Sequence, residues 1–186
     1  MNIFYFDSDP FITAKQHCNS HVVKMIVEYA QLLSTAHRVL DGKETIIKTE
    51  KGRRKKIWIL EDEDFDDALY AATHVNHPSA KWVRDSYNNY EWLLNLLVFL
   101  SAEYTRRYGK IHKTSQEVLP YLVPAPQNID INKPFSPPWR AMPDQYKIDK
   151  SVDKYCELSY QAYFNGEKQK LAKWKHNEIP SWFIQK

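Results

Sequence analysis

Apolar side chains in the first forty residues recur at helical spacing. Val23, Ile26, Ala30, Leu33 and Leu40 fall on one stripe. With Asp9 as N-cap, Pro10 as first helical residue and Gly42 as stop, they predict one long helix from Asp9 to Leu40. Residues 1–8 are short, apolar and aromatic, and predict an extended arm packed on the core. The pattern changes at 43–60, where Thr45-Ile46-Ile47 and Ile57-Trp58-Ile59-Leu60 flank the turn-like Glu50-Lys51-Gly52 and predict a small β-hairpin. The acidic run Glu61 to Asp67 suits the first turn of a helix running to about Thr73.

A second long helix is predicted from Pro78 to Tyr108, about 45 Å in length. Trp82, Leu93, Leu96, Leu97, Leu100 and Tyr104 form its apolar face, and Gly109 ends it. Thr114 to Glu117 has the form of a capping box for a short helix stopped near Pro120. Residues 123–145 hold most of the prolines and predict a loop, and a last helix is expected over about 151–164. No repeat and no second core is visible. The expected architecture is mainly α: a single compact helical domain over residues 1–186, with insertions at about 43–60 and 123–145.

Composition changes this picture little. The chain of 186 residues has 26 Lys and Arg against 23 Asp and Glu, a net charge of +3, which does not by itself announce a nucleic-acid binder. Aromatic content of 14% with only four glycines excludes a disordered chain, a collagen-like one and a Gly-rich phosphate loop. No apolar run approaches the roughly 20 residues that span a bilayer, so no membrane partner is expected. The start of the chain lacks a basic, apolar secretory leader, and Cys18 and Cys156 cannot build a disulfide framework. A reduced cytoplasm, that of the host cell if the protein is viral, and a monomeric state are the expectations.

The first helix carries a second, polar stripe. His17, His21, Lys24, Glu28, Gln31, Thr35 and Arg38 follow at alternating steps of four and three. A solvated face is one reading. The mixture of imidazole, carboxylate, amide, hydroxyl and guanidinium is more typical of a site. His17 and His21, with His74 and His77, also suggest a metal, although neither Cys-x-x-Cys nor His-Glu-x-x-His is present. Arg106, Arg107, Lys110, His112 and Lys113 close the long helix with more positive charge than its dipole needs. With Arg53 to Lys56 they suggest a phosphate-tracking surface. Trp139 in the Pro-rich loop and Trp182-Phe183 in the tail either staple loop and tail to the core or stack on nucleic-acid bases.

Three segments together resemble the small helical pyrimidine-dimer DNA glycosylases of bacteriophages. In the first helix His21 is followed seven residues later by Glu28, where that family has its catalytic Glu. In the long helix, Tyr87, Glu91, Trp92 and Leu93, followed by Ala102, Glu103, Arg106 and Arg107, resemble the family's Tyr-x-x-x-Glu-Phe-Leu through Ala-Glu-x-x-Lys-Arg. The tail Pro180-Ser181-Trp182-Phe183 is similar to Pro-Thr-Trp-Tyr. The segments keep the family's order and cover about a third of the chain. The chain departs from the family at Asn2, at Ile3 where the family has a basic residue, and at Val27 and Gln31 where it has arginines flanking the Glu.

The resemblance implies a DNA glycosylase with AP-lyase activity that kinks a damaged or modified duplex and flips a base. Met1 would supply the α-amine that attacks the sugar C1′ and forms a Schiff base, and Glu28 the carboxylate beside it. Such chemistry needs no cofactor, and an α-amine has a useful neutral fraction near pH 7. The DNA contacts would come from His17, His21, Lys24, Gln31 and Arg38, from His74, His77, Lys81 and Arg84, and from Arg106, Arg107, Lys110, Trp182 and Phe183. Two readings compete with it. One is a metal-dependent nuclease or phosphohydrolase built on the histidines, and the other is a non-catalytic nucleic-acid-binding protein.

Overall fold

The Asp9 carboxylate accepts the Phe11 N–H and Pro10 follows it, opening helix α1 (Pro10–Gln16) where the sequence places a helix start. The computed structural model describes residues 1–185, and in it this helix stops at Gln16 instead of running to Leu40. Its last carbonyls are claimed from outside. Arg107 donates to the carbonyls of His17 and Lys15 at 2.8 and 3.0 Å, and the Trp174 indole N–H donates to that of Gln16 at 3.0 Å. The chain turns extended at His17 and Cys18 and restarts as α2 (Asn19–Asp41).

Helix α2 is central and is enclosed around most of its circumference. Val22, Met25, Ile26, Tyr29, Leu32, Leu33 and Ala36 are all essentially inaccessible. The apolar stripe of the sequence is therefore only part of the buried surface, and its Val23 is exposed. Strands β1 (Lys43–Lys48) and β2 (Arg54–Ile59) form the expected antiparallel hairpin, with Thr45 opposite Ile57 and Gly52 supplying a positive φ in the turn. Helix α3 (Glu63–Ala68), capped by Asp62, is shorter than its pattern suggests. Arg38 of α2 binds the carbonyls of Asp66, Leu69 and Tyr70, which pulls the chain out of the helix.

The second long helix is also broken. Helix α4 (Pro78–Val83) ends at Arg84, and α5 (Tyr87–Tyr108) starts afresh because the Ser86 hydroxyl accepts the Asn89 N–H at 3.2 Å. The Asn89 amide then donates back to the Trp82 carbonyl at 3.0 Å, fixing the bend. Helix α6 (Lys113–Glu117) is capped by the His112 ring, not by Thr114. Helix α7 (Leu119–Leu122) accommodates Pro120 in its first turn, so the chain does not stop there. Helix α8 (Tyr155–Asn165) is the last, and its Cys156, Tyr160, Tyr163 and Phe164 are buried. The fold is mainly α, with one two-stranded hairpin.

Helix α5 runs antiparallel to α2: the His37 ring meets the Tyr90 hydroxyl at 2.8 Å near one end, and Tyr108 donates to the Asn19 carbonyl at 3.2 Å near the other. The arm ahead of α1 threads this core. Ile3, Phe4, Tyr5 and Phe6 are all buried, and Phe4 and Phe6 meet Phe164 of α8 edge-on. Both sides of the arm are covered, so its residues show no alternation. The Pro-rich loop is held on the surface by the Asp41 carboxylate, which accepts the N–H groups of Gln127 and Asn128. Among the described residues no helix is long and apolar enough to cross a membrane.

Candidate functional site

Helix α2 is open to solvent along a narrow strip that contains Lys24, Val27, Glu28 and Gln31. The Glu28 side chain sits in it mostly covered, with 18% of its surface exposed, and its carboxylate is 3.1 Å from the largely exposed Lys24 ammonium. The segment after α3 lies against this helix. Thr73 is tied to Thr35 through its N–H at 3.2 Å, and His77 caps α4 by accepting the Ser79 N–H at 3.1 Å. The His77 imidazole titrates below its ordinary value. Partial burial is the first cause, followed by the positive charges of the Met1 ammonium and His74, while the Glu28 carboxylate pulls the other way. Met1, Glu28, His74 and His77 thus share one electrostatic neighbourhood.

Asn2 fixes the start of the chain there. Its side-chain amide donates to the Ala141 carbonyl at 2.9 Å, and its oxygen accepts the Tyr160 hydroxyl at 2.7 Å. Tyr160 is itself fully buried, so Met1 is tethered to a rigid point of the core. Nothing in the sequence marks a lone Asn and a Tyr 158 residues away as partners. Next to the cluster lies a cavity of about 500 Å³ whose wall includes Asn76 and Pro78, the residues on either side of His77.

Most of the other candidate contacts serve the fold. His17 is fully buried, its Nδ1–H donating to the Thr13 carbonyl and its Nε2 accepting from the Tyr29 hydroxyl, each at 2.8 Å. It has no surface to offer a phosphate. His21 is stacked on Phe4 at 4.5 Å and buried. Arg38 is buried among carbonyls and Asp66, and Arg107 is consumed by Glu103 and the end of α1. Arg106 is exposed but chelates Glu103 through two nitrogens. Arg84 lies in the link between α4 and α5 and is half-buried. Lys24, His74, Lys81 and Lys110 are exposed.

The two basic groups of the sequence do not form one surface. Arg53 to Lys56 sit on the hairpin beyond the C-terminal end of α2, whereas Arg106 and Arg107 lie by its N-terminal end, roughly 30 Å away along the helix. The tail aromatics staple the tail to the core. Trp182 stacks on Phe6 at 5.1 Å and donates to the Gln16 side chain at 2.9 Å, and Phe183 packs on Trp174 at 4.7 Å.

The histidine quartet is not assembled either. Among the described residues no three His, Cys, Asp or Glu side chains converge as a metal-ligand set. Burial drives His17 down to about 3 and His21 and His37 to about 4, so all three are neutral in the folded protein. Their ordinary value is about 6.5, so below it the unfolded chain takes up protons that the native state refuses. Stability is expected to fall as pH drops from 6.5 towards 4.5, by up to about 1.4 kcal/mol per pH unit for each histidine. Urea unfolding at pH 7.0, 6.0 and 5.0 checks this, and an unchanged midpoint contradicts it.

No family model matches the chain, and no curated protein or solved structure is similar to it.

Proposed function

We propose that the protein is a DNA base-excision enzyme, a glycosylase with AP-lyase activity, acting on damaged or modified duplex DNA. The observation that carries this reading is that the Met1 ammonium and the Glu28 carboxylate both act on the His77 ring, with Glu28 on the open strip of α2. An amine beside a carboxylate is the pair that imine chemistry on a deoxyribose requires. The neutral amine attacks C1′, the C1′–N bond to the base breaks, and the base leaves with a proton. Ring opening gives the imine. Glu28 then takes a proton from C2′, the C2′=C3′ double bond forms, and the C3′–O bond to phosphate breaks. Lys24, 3.1 Å from Glu28, holds the carboxylate in place on the open strip.

The experiment is strand cleavage of a duplex carrying one abasic site, in EDTA. The expected result is a nick that leaves an unsaturated sugar aldehyde on the 3′ end, undiminished by the chelator. A nick abolished by EDTA transfers the activity to a metal-dependent nuclease. Binding without any nick leaves the non-catalytic reading.

A further inference from the structure

The cavity beside His77 is walled by aromatic rings and cations together. Trp139 stands on its rim with 55% of its surface exposed. That exposure is built, because the backbone on both sides is pinned to buried groups. The Pro138 carbonyl accepts the Cys156 thiol at 3.6 Å, and the Trp139 carbonyl accepts the Tyr160 hydroxyl at 3.1 Å. Pro137 and Pro138 remove backbone freedom just before it. On the same wall the Trp82 indole N–H is spent on the Ser136 carbonyl at 2.8 Å, which holds the loop against α4. A large ring is thus presented to solvent by a rigid loop.

The charges around it are unbalanced. Asp85, the one carboxylate on the wall, accepts the Lys133 ammonium at 2.8 Å. Arg140 is fixed by the Ile148 carbonyl and the Ser159 hydroxyl, with its guanidinium 4.9 Å from the centre of the Tyr155 ring. Lys147 pairs with Asp144 at 2.7 Å and lies 5.8 Å from the Trp139 ring. Lys81 and Lys150 also line the cavity, and neither has a carboxylate partner among the described residues. A half-exposed indole beside two ammonium groups without carboxylate partners suits a ligand that is planar at one end and anionic at the other. A volume of about 500 Å³ is in the range of small-molecule sites.

We propose that this cavity binds a nucleotide, its base stacked on Trp139 and its phosphate held by Lys81 and Lys150. The ligand chemistry is the same for a free nucleoside monophosphate and for one nucleotide unit of a DNA strand. Binding here requires no imine chemistry, so the proposal stands or falls apart from the Met1–Glu28 reading.

The test titrates the full chain with dAMP, TMP, thymidine and an eight-residue thymidine oligonucleotide, followed by calorimetry and tryptophan fluorescence. A saturable complex with a mononucleotide or the oligonucleotide is expected, and thymidine, lacking phosphate, binds at least about tenfold more weakly. Trp139→Leu weakens the complex by about tenfold or more with an unchanged melting temperature. Joint Lys81→Gln and Lys150→Gln weakens it and flattens its salt dependence. Mononucleotide binding identifies a free ligand, and binding of the oligonucleotide alone identifies a strand. No saturable binding of either up to millimolar concentration, or binding indifferent to Trp139→Leu in folded protein, overturns the proposal.

Discussion

Glu28→Gln is expected to lower turnover on an abasic duplex by about two to four orders of magnitude while the protein stays folded and still binds. The substitution keeps size and hydrogen-bonding capacity and removes only the charge that takes the C2′ proton. The carboxylate is mostly covered on the open strip of α2, and among the described residues its ion pair is with a side chain two-thirds exposed, Lys24. Such a pair contributes at most about 1 kcal/mol to stability, so the melting temperature should scarcely move. Single-turnover nicking rates and calorimetric melting, measured on the same preparation, separate the two effects. Wild-type turnover in the variant removes Glu28 from the chemistry. A steep loss of stability makes it a structural carboxylate.

Arg38→Ala is expected to destabilise the protein by about 3–5 kcal/mol, or more. The Arg38 guanidinium donates to the carbonyls of Trp58, Asp66, Leu69 and Tyr70 and to the Asp66 carboxylate. It is the clamp that joins the hairpin and α3 to the central helix. Removing it takes the Arg38 donors from these carbonyls in a largely water-poor place and leaves the Asp66 carboxylate with the Leu60 N–H but no countercharge. For a chain of this size the melting temperature should fall by roughly 6–20 °C. Arg38→Lys should not restore it, since a single ammonium cannot span acceptors arrayed around a planar fork. Thermal unfolding of both variants checks this. An unchanged melting temperature with weakened DNA binding would return Arg38 to the role the sequence suggested for it.

The polar stripe of the first helix shows what periodicity does and does not reveal. Spacing correctly put Glu28, Lys24 and Gln31 on one face, and that face is the open strip. The same spacing placed Arg38 and Thr35 with them, where the structure buries both. A helix enclosed by neighbours on most sides buries polar residues too, provided their groups are bonded, and sequence does not reveal which elements will supply the partners. His17 was lost to the stripe because the helix breaks there, and the break is caused by Arg107, ninety residues away. Long-range capture of carbonyls leaves no local signal.

Local chemistry was more legible. Asp9-Pro10, the hairpin at 43–59 and the stop at Gly109, which adopts a positive φ, are all where turn and cap residues put them. The bend at Ser86 was signalled by the same rules, a hydroxyl three residues before the Asn89 N–H, but the apolar face on either side masked it. The tail illustrates the limit of an aromatic motif. Pro180, Trp182 and Phe183 resemble a glycosylase tail, and Gln16, Phe6 and Trp174 supply the socket in which they pack. Arg140, Lys147 and Lys150 carry no signal in the sequence because their grouping around Trp139 exists only once the Pro-rich loop is folded onto α4.

The Met1 amine is expected to form an imine with deoxyribose in the neighbourhood of Glu28. Sodium borohydride added during reaction with an abasic duplex reduces an imine to a stable amine and leaves protein and DNA covalently joined. Such an adduct is expected, absent without borohydride, with mass mapping placing the DNA on the α-amine of the peptide that begins at Met1. An ultraviolet-irradiated duplex in the parallel reaction gives the same adduct if the protein also excises dimers. No adduct on the abasic duplex, or an adduct mapped to a lysine side chain such as Lys81, contradicts the claim.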